Sequence, residues 1–114
     1  MTQIELPRNI EAEKNLLGSM VGQGFFDSAV MLPADDFYLD RHKTIYLVMV
    51  DLHEAGAPTD LAGIYDALKS KDQLETAGGM AYIASLSDGV PGSPSLFPHW
   101  ERIIHECAVR RRFI

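Results

Sequence analysis

The sequence contains very little cysteine, since Cys107 is the only one among its 114 residues. A single thiol cannot form a disulfide within the chain, which excludes a fold held together by disulfides. Long apolar runs are also missing. The longest, from Ile45 to Val50, is far shorter than the roughly 20 residues that a membrane-spanning helix needs. No basic stretch followed by an apolar one marks a secretory signal. These absences predict a cytoplasmic protein with no membrane partner.

Basic residues are in short supply. The chain has 16 Asp and Glu residues against 10 Lys and Arg, which gives a formal net charge of -6. DNA-binding domains usually carry a basic face, because neutralising phosphates supplies much of their affinity. The one basic cluster, Arg110 to Arg112, is predicted to be a solvated helix end, where the helix dipole favours cations. Little direct DNA binding is therefore expected.

Motifs for nucleotide and metal chemistry are absent as well. No glycine is followed by Lys and then Ser or Thr, as a phosphate-binding P-loop requires. His53-Glu54 begins like the zinc motif H-E-x-x-H, but Ala57 stands where the second His would be. We therefore predict no catalytic, cofactor-binding or metal-binding residue, and no cofactor in this chain.

Three polar or reactive groups are predicted to be structural. Asp35-Asp36 is interpreted as a polar turn, with Asp36 as a cap for a short helical turn. His42 is expected to form hydrogen bonds between helices. Cys107 lies on an apolar helix face and is expected in the core.

Helical periodicity is present nearly everywhere. A first helix is predicted from Ile10 to Val21, with Asn9 as its N-cap and acidic residues in its first turn. A short second helix is predicted near residues 25–30, closed by Pro33.

The third predicted helix is capped by Asp40 and ends at Gly56. Its apolar middle, Ile45 to Val50, also fits a buried strand. The length from cap to glycine favours a helix. Because it is apolar on every side, this helix is expected at the centre of the bundle.

The remaining predicted helices are shorter or follow a loop. Thr59 or Asp60 caps the fourth, and Gly78-Gly79 begins the fifth. Residues 87–94 form a loop, and the last helix begins near Ser95. The sequence therefore predicts an all-α fold, a compact bundle of about six helices in a single domain spanning residues 1–114.

A series of short blocks in a fixed order runs along the chain. The blocks are Leu6-Pro7, Ile10-Glu11-Ala12-Glu13, Leu17-Gly18, Asp36-Phe37-Tyr38, His42, Ile45-Tyr46, Pro58 with Asp60-Leu61, Gly78-Gly79, Ala81-Tyr82-Ile83 and Val90-Pro91. Together they resemble the N-terminal domain of the DnaB-type replicative DNA helicases, over residues 6–114. In that family the ATPase motor lies in a separate C-terminal domain.

The resemblance implies an assembly and partner-docking collar in a ring-shaped hexameric helicase, active in DNA replication and not itself an enzyme. It implies primase and a helicase loader as partners, with ATP and Mg bound in the parent protein's RecA-like domain. The C-terminal helical hairpin, the linker and that domain are not matched by this sequence. A weak dimer is expected for this chain and a hexamer for the parent.

Three residues match family positions implicated in communication with primase or between subunits: Glu11, Tyr82 and Ile114. Each also has a structural interpretation. Glu11 complements the helix dipole, Tyr82 fits the bundle core, and Ile114 is an exposed end. The alternative function is a stand-alone helical adaptor, such as a phage protein, that binds replication partners without a motor. An adaptor should end in a cap or polar tail, whereas this sequence ends within a helical pattern at Phe113 and Ile114.

Overall fold

The computed structural model describes residues 8–21, 32–88 and 96–113. These residues form five α-helices and one short 3₁₀ turn, with no strand among them, so the all-α prediction is confirmed. The helices are α1 (Ile10–Met20), α2 (Asp40–Glu54), α3 (Leu61–Ser70), α4 (Gly79–Leu86) and α5 (Phe97–Arg112). The 3₁₀ turn spans Ala34–Asp36. The short second helix of the sequence prediction, near residues 25–30, lies outside the described residues. Most of the predicted 87–94 loop does too.

Helix α1 begins where the sequence predicts. The Asn9 side chain accepts a hydrogen bond from the Ala12 amide at 2.9 Å, which satisfies one of the first-turn donors. The helix ends at Met20, one residue before the predicted Val21. Its inner face carries Leu16, Leu17 and Met20, all fully buried.

Helix α2 differs from its prediction in two details. Asp40 is the first helical residue and not the cap, because Leu39 occupies the N-cap position, where its apolar side chain accepts no hydrogen bond. The helix is also less enclosed than expected, since Leu47 is 50% exposed. The predicted end is confirmed: Gly56 has φ +71°, a left-handed conformation that glycine adopts without steric cost.

Helix α3 is capped by Asp60, whose carboxylate accepts from the Gly63 amide at 2.8 Å. Thr59, the other predicted cap, instead donates its hydroxyl to the Met20 carbonyl and ties this turn to α1. Helix α5 begins at Phe97, two residues after the predicted Ser95. Cys107 on α5 is only partly buried, so its prediction as a core residue is wrong in degree.

The helices pack so that α1 contacts α5, α2 and α4. This position brings the first turns of α1 against the start of α2 and the middle of α4. The 3₁₀ turn in turn packs against both α2 and α5. Within the described ranges, no helix is both long and apolar enough to cross a membrane. Two sets of polar residues are brought together by this packing.

Candidate docking site

The first polar set is centred on Glu13, an acidic residue on the inner face of α1. Its side chain is 2% exposed, a position where an unpaired carboxylate would be very costly. One oxygen, Oε1, lies 2.7 Å from His42 Nδ1. The other, Oε2, accepts the backbone N–H of Tyr38 at 2.8 Å. One buried carboxylate therefore fixes both the start of α2 and the segment before it.

His42 bridges Glu13 to α4. The ring is fully buried, and because a carboxylate only accepts, Nδ1–H donates to Glu13. Its second nitrogen, Nε2, lies 2.5 Å from the Tyr82 hydroxyl, which donates to it when the ring is neutral. The two rings stack, with centroids 5.9 Å apart and planes at 18°. The predicted structural role of His42 between helices is confirmed.

Tyr82 is half-buried, and its hydroxyl is bonded to the buried ring of His42. The guanidinium of Arg41 lies over the ring, 5.0 Å from its centroid, a cation–π contact. A side chain at position 78 would collide with this ring: a Cβ there would lie 2.9 Å from Tyr82 Cδ2. Gly78 also has φ +97°, so glycine is required twice over where α4 begins.

The environment of Tyr82 is reflected in its ionisation. Burial raises the pKa of its hydroxyl above the ordinary value for tyrosine. The positive charge and hydrogen bond of Arg41 oppose this shift, and the carboxylates of Glu13 and Glu11 add to it. Tyr82 is therefore held neutral, as the donor to His42.

Glu11 is exposed on the first turn of α1. It lines a shallow depression of about 180 Å³ between α1 and α4. The lining residues are Glu11, Lys14, Asn15, Ser85, Leu86 and Asp88. In the described part of the chain Glu11 makes no hydrogen bond or ion pair. We call the surface formed by Glu11, Arg41 and Tyr82 the Tyr82 face. Of the three predicted partner residues, Glu11 is near enough to Tyr82 for its carboxylate to raise the pKa of the Tyr82 hydroxyl, whereas Ile114 lies outside the described residues.

The second polar set is centred on Asp36, at the end of the 3₁₀ turn. Its side chain is fully buried, and its two oxygens lie 2.8 Å from His105 Nδ1 and 2.8 Å from Arg112 Nη2. Arg111 donates to the Asp36 backbone carbonyl at 2.7 Å. The Arg110–Arg112 cluster, predicted to be simply a solvated helix end, instead docks two of its three arginines on this turn. The prediction of Asp36 as a cap is wrong, because Asp36 is the last residue of the 3₁₀ turn and Pro33 occupies its N-cap.

Tyr38 lies between the two sets. The Arg8 and Arg111 guanidinium groups lie 4.9 and 5.4 Å from the centroid of its ring. Its backbone amide is the one bound by Glu13. The described ranges hold no group of three or more His, Cys, Asp or Glu side chains that could bind a metal ion.

Comparison with known proteins decides the family. A model of the DnaB-like helicase N-terminal domain matches residues 5–106. The chain belongs to this family. The resemblance drawn from the sequence blocks is therefore confirmed.

Curated relatives of the DnaB family share about a third of their residues with the chain. The replicative DNA helicase DnaB of Geobacillus stearothermophilus is 35% identical over 114 residues, which is 95% of this chain and 24% of the relative. DnaB of Pasteurella multocida is 38% identical over 110 residues, covering 95% of this chain and 23% of that protein. The chain thus spans about a quarter of the length of these helicases, and their catalytic domain lies outside the matched part.

Solved DnaB structures share the fold. The N-terminal domain of DnaB helicase from Mycobacterium tuberculosis superposes with a TM-score of 0.82 and 25% identity, covering 96% of this chain and 79% of that one. A DnaB-like replicative helicase, whose structure describes its interactions with primase, gives a TM-score of 0.75 and 27% identity. That match covers 91% of this chain and 25% of the helicase.

Sequence reasoning missed several residues of this DnaB-type domain. The sequence pattern predicts only negative charge in a first turn for Glu13, yet this residue shares its helix face with Leu16 and Leu17. A charged residue on an apolar face was the available signal for a buried carboxylate. Arg41 carried no such signal, because its partner Tyr82 lies on another helix.

Proposed function

We propose that this chain is the assembly and partner-docking collar of a ring-shaped hexameric replicative helicase. Membership of the DnaB N-terminal domain family supports this role, as does the likeness to a helicase solved with primase interactions. In this proposal the parent protein works in the cytoplasm and binds ATP and Mg in its C-terminal RecA-like domain. The present chain acts through protein contacts and binds DNA little, in keeping with its net charge of -6.

The observation that carries the proposal is the Tyr82 face. An aromatic ring with a polar tip is a frequent anchor at protein interfaces. The ring here is already fixed, by His42 from inside and Arg41 from outside. A preorganised anchor loses less conformational entropy on binding than a mobile one. The exposed carboxylate of Glu11 adds a negative charge near Tyr82 that a basic group of a partner can contact.

The partners in this proposal are the cognate primase, a helicase loader and further copies of the chain. Self-association of the chain alone is weak, giving monomer or dimer, and the hexamer forms in the parent protein. Sedimentation at increasing protein concentration tests this part. A stable hexamer formed by the chain alone would contradict it.

Docking is tested by calorimetric titration of the chain with the C-terminal domain of its cognate primase. Tyr82→Ala should weaken binding about thirtyfold or more, the effect of losing a central anchor. Glu11→Gln should weaken it less, because an exposed charge contributes little. Tyr65→Ala is the matched control, since Tyr65 lies on α3 with Lys69 over its ring. Equal affinities for Tyr82→Ala and Tyr65→Ala, with both variants folded, would contradict the proposed surface.

A further inference from the structure

One carboxylate joins the two polar sets. Glu13 holds His42, and through it Tyr82, with Oε1. It holds the Tyr38 amide with Oε2. Both oxygens of a fully buried carboxylate are thus committed, one to each side. A displacement of the carboxylate therefore disturbs both bonds.

The segment on the Tyr38 side holds the end of α5. Tyr38 receives the Arg111 guanidinium on its ring, and Arg111 also donates to the carbonyl of Asp36. Two residues before Tyr38, the buried Asp36 carboxylate accepts hydrogen bonds from His105 and Arg112. The last turn of α5 can therefore keep these contacts only while the segment from Asp36 to Tyr38 holds its position.

We propose that Glu13 couples the Tyr82 face to the last turn of α5, so that a partner bound at Tyr82 changes how firmly that turn is docked. The identity of the partner rests on the proposed function. The coupling itself is a property of this chain and is measurable without any partner.

The contacts at Asp36 and those at Glu13 differ in how far their side chains are exposed to solvent. His105 and Arg112 are 53% and 54% exposed, so when the turn undocks, water replaces their bonds to Asp36. Helix ends with exposed hydrogen bonds open locally far more often than the core. The side chains of Glu13 and His42 are at most 2% exposed, so a lost bond there leaves a buried group unsatisfied. A displacement is therefore passed on through Glu13 and His42, and the last turn of α5 undocks in response.

Amide hydrogen exchange of residues 109–112 tests the coupling. Tyr82→Phe keeps the ring but removes the hydroxyl that binds His42. It should accelerate exchange in the last turn about fivefold or more, the lower range for coupled sites, while α3 amides stay unchanged. Tyr65→Phe removes a hydroxyl outside the Glu13 set and should change exchange in the last turn less than about twofold. Equal last-turn exchange in the wild-type chain and Tyr82→Phe would overturn the proposal.

A double-mutant cycle supplies the second arm. Asp36→Asn undocks the turn directly, so adding Tyr82→Phe should accelerate exchange no further. Arg112→Gln replaces Asp36→Asn in the cycle if the latter does not fold, because Arg112 is half exposed. Fully additive effects would overturn the coupling. Primase binding that depends on Tyr82 in a chain without coupling would leave the proposed function standing, and coupling without primase binding would do the reverse.

Discussion

Glu13 and Asp36 are both buried carboxylates, but the protein satisfies them differently. Glu13 pairs with His42, whose side chain is fully buried. Asp36 pairs with His105 and Arg112, whose side chains are more than half exposed. Removing a partner from Glu13 leaves a charge in an apolar interior. Around Asp36, water can follow the departing side chain. Glu13 therefore forms a rigid contact inside the bundle, whereas Asp36 forms a contact that can open at the surface.

The sharpest way to break this comparison is to remove the buried partner. His42→Ala leaves Glu13 with one oxygen unpaired and should lower the free energy of unfolding by about 3–5 kcal/mol. His99→Ala is the control, since His99 is exposed on α5 and should cost less than about 0.5 kcal/mol. Urea unfolding of both variants gives the comparison. A loss in His42→Ala as small as that in His99→Ala would mean that water reaches Glu13.

Two tyrosines make the stability of the fold depend on alkaline pH. Burial, then the charge of Glu101, raises the pKa of Tyr46 to about 12, with Asp36 adding to the shift. The unfolded value is about 10, so the folded state keeps the proton longer. This stabilisation is complete below about pH 10 and is lost as the pH rises to about 12, up to roughly 2–3 kcal/mol. Tyr82, with its pKa raised mainly by burial, loses stability in the same direction.

Tyr46→Phe separates these contributions. The variant loses the hydroxyl bond to the Leu32 carbonyl, so it should be less stable at neutral pH by about 1 kcal/mol. Its stability should then fall less steeply above about pH 10 than that of the wild-type chain. Urea unfolding across this range measures both slopes. Identical slopes would show that Tyr46 ionises at its ordinary pKa.

Gly78→Ala should weaken the contacts around Glu13 by displacing the Tyr82 ring. The new Cβ would meet the Tyr82 ring at 2.9 Å, and alanine is strained at φ +97°. We expect a loss of about 1–2 kcal/mol from the backbone alone. Movement of Tyr82 should also change the His42 ring resonances in NMR spectra. Gly56→Ala shares the positive φ but meets nothing within 4 Å, so it should show the loss of stability with unchanged His42 resonances.

The sequence predicts the features that depend on neighbouring residues. Asn9 and Asp60 cap helices through bonds to amides three residues away, and Gly56 ends α2 through its own backbone conformation. These signals are local and need no knowledge of the fold. The family resemblance predicts Glu11 and Tyr82 as partner residues, and this stays a prediction. The expected position of His42 between helices is confirmed.

What the sequence did not predict depends on distant partners. Glu13 and His42 are 29 positions apart, and Asp36 and Arg112 are 76 apart. The helix dipole is a sufficient local reason for arginines at the end of α5, so the pattern gave no cause to look for an acid elsewhere. Pairing across helices is set by packing, which short-range periodicity does not encode.

The smallest expected effect comes from removing the exposed partner. Arg112→Ala deletes one bond to Asp36, but His105 remains and water reaches the vacated side, so the loss should be about 1 kcal/mol or less. Arg110→Ala is closely matched: it removes the same charge two residues earlier on the same helix, from an exposed side chain. Because the Arg112 side chain is half exposed, the difference between the variants should shrink in about 1 M salt, where the Debye length is about 3 Å. The loss in His42→Ala should persist there, since salt does not screen a buried pair. A salt-insensitive Arg112 effect would place Asp36 in the same class as Glu13.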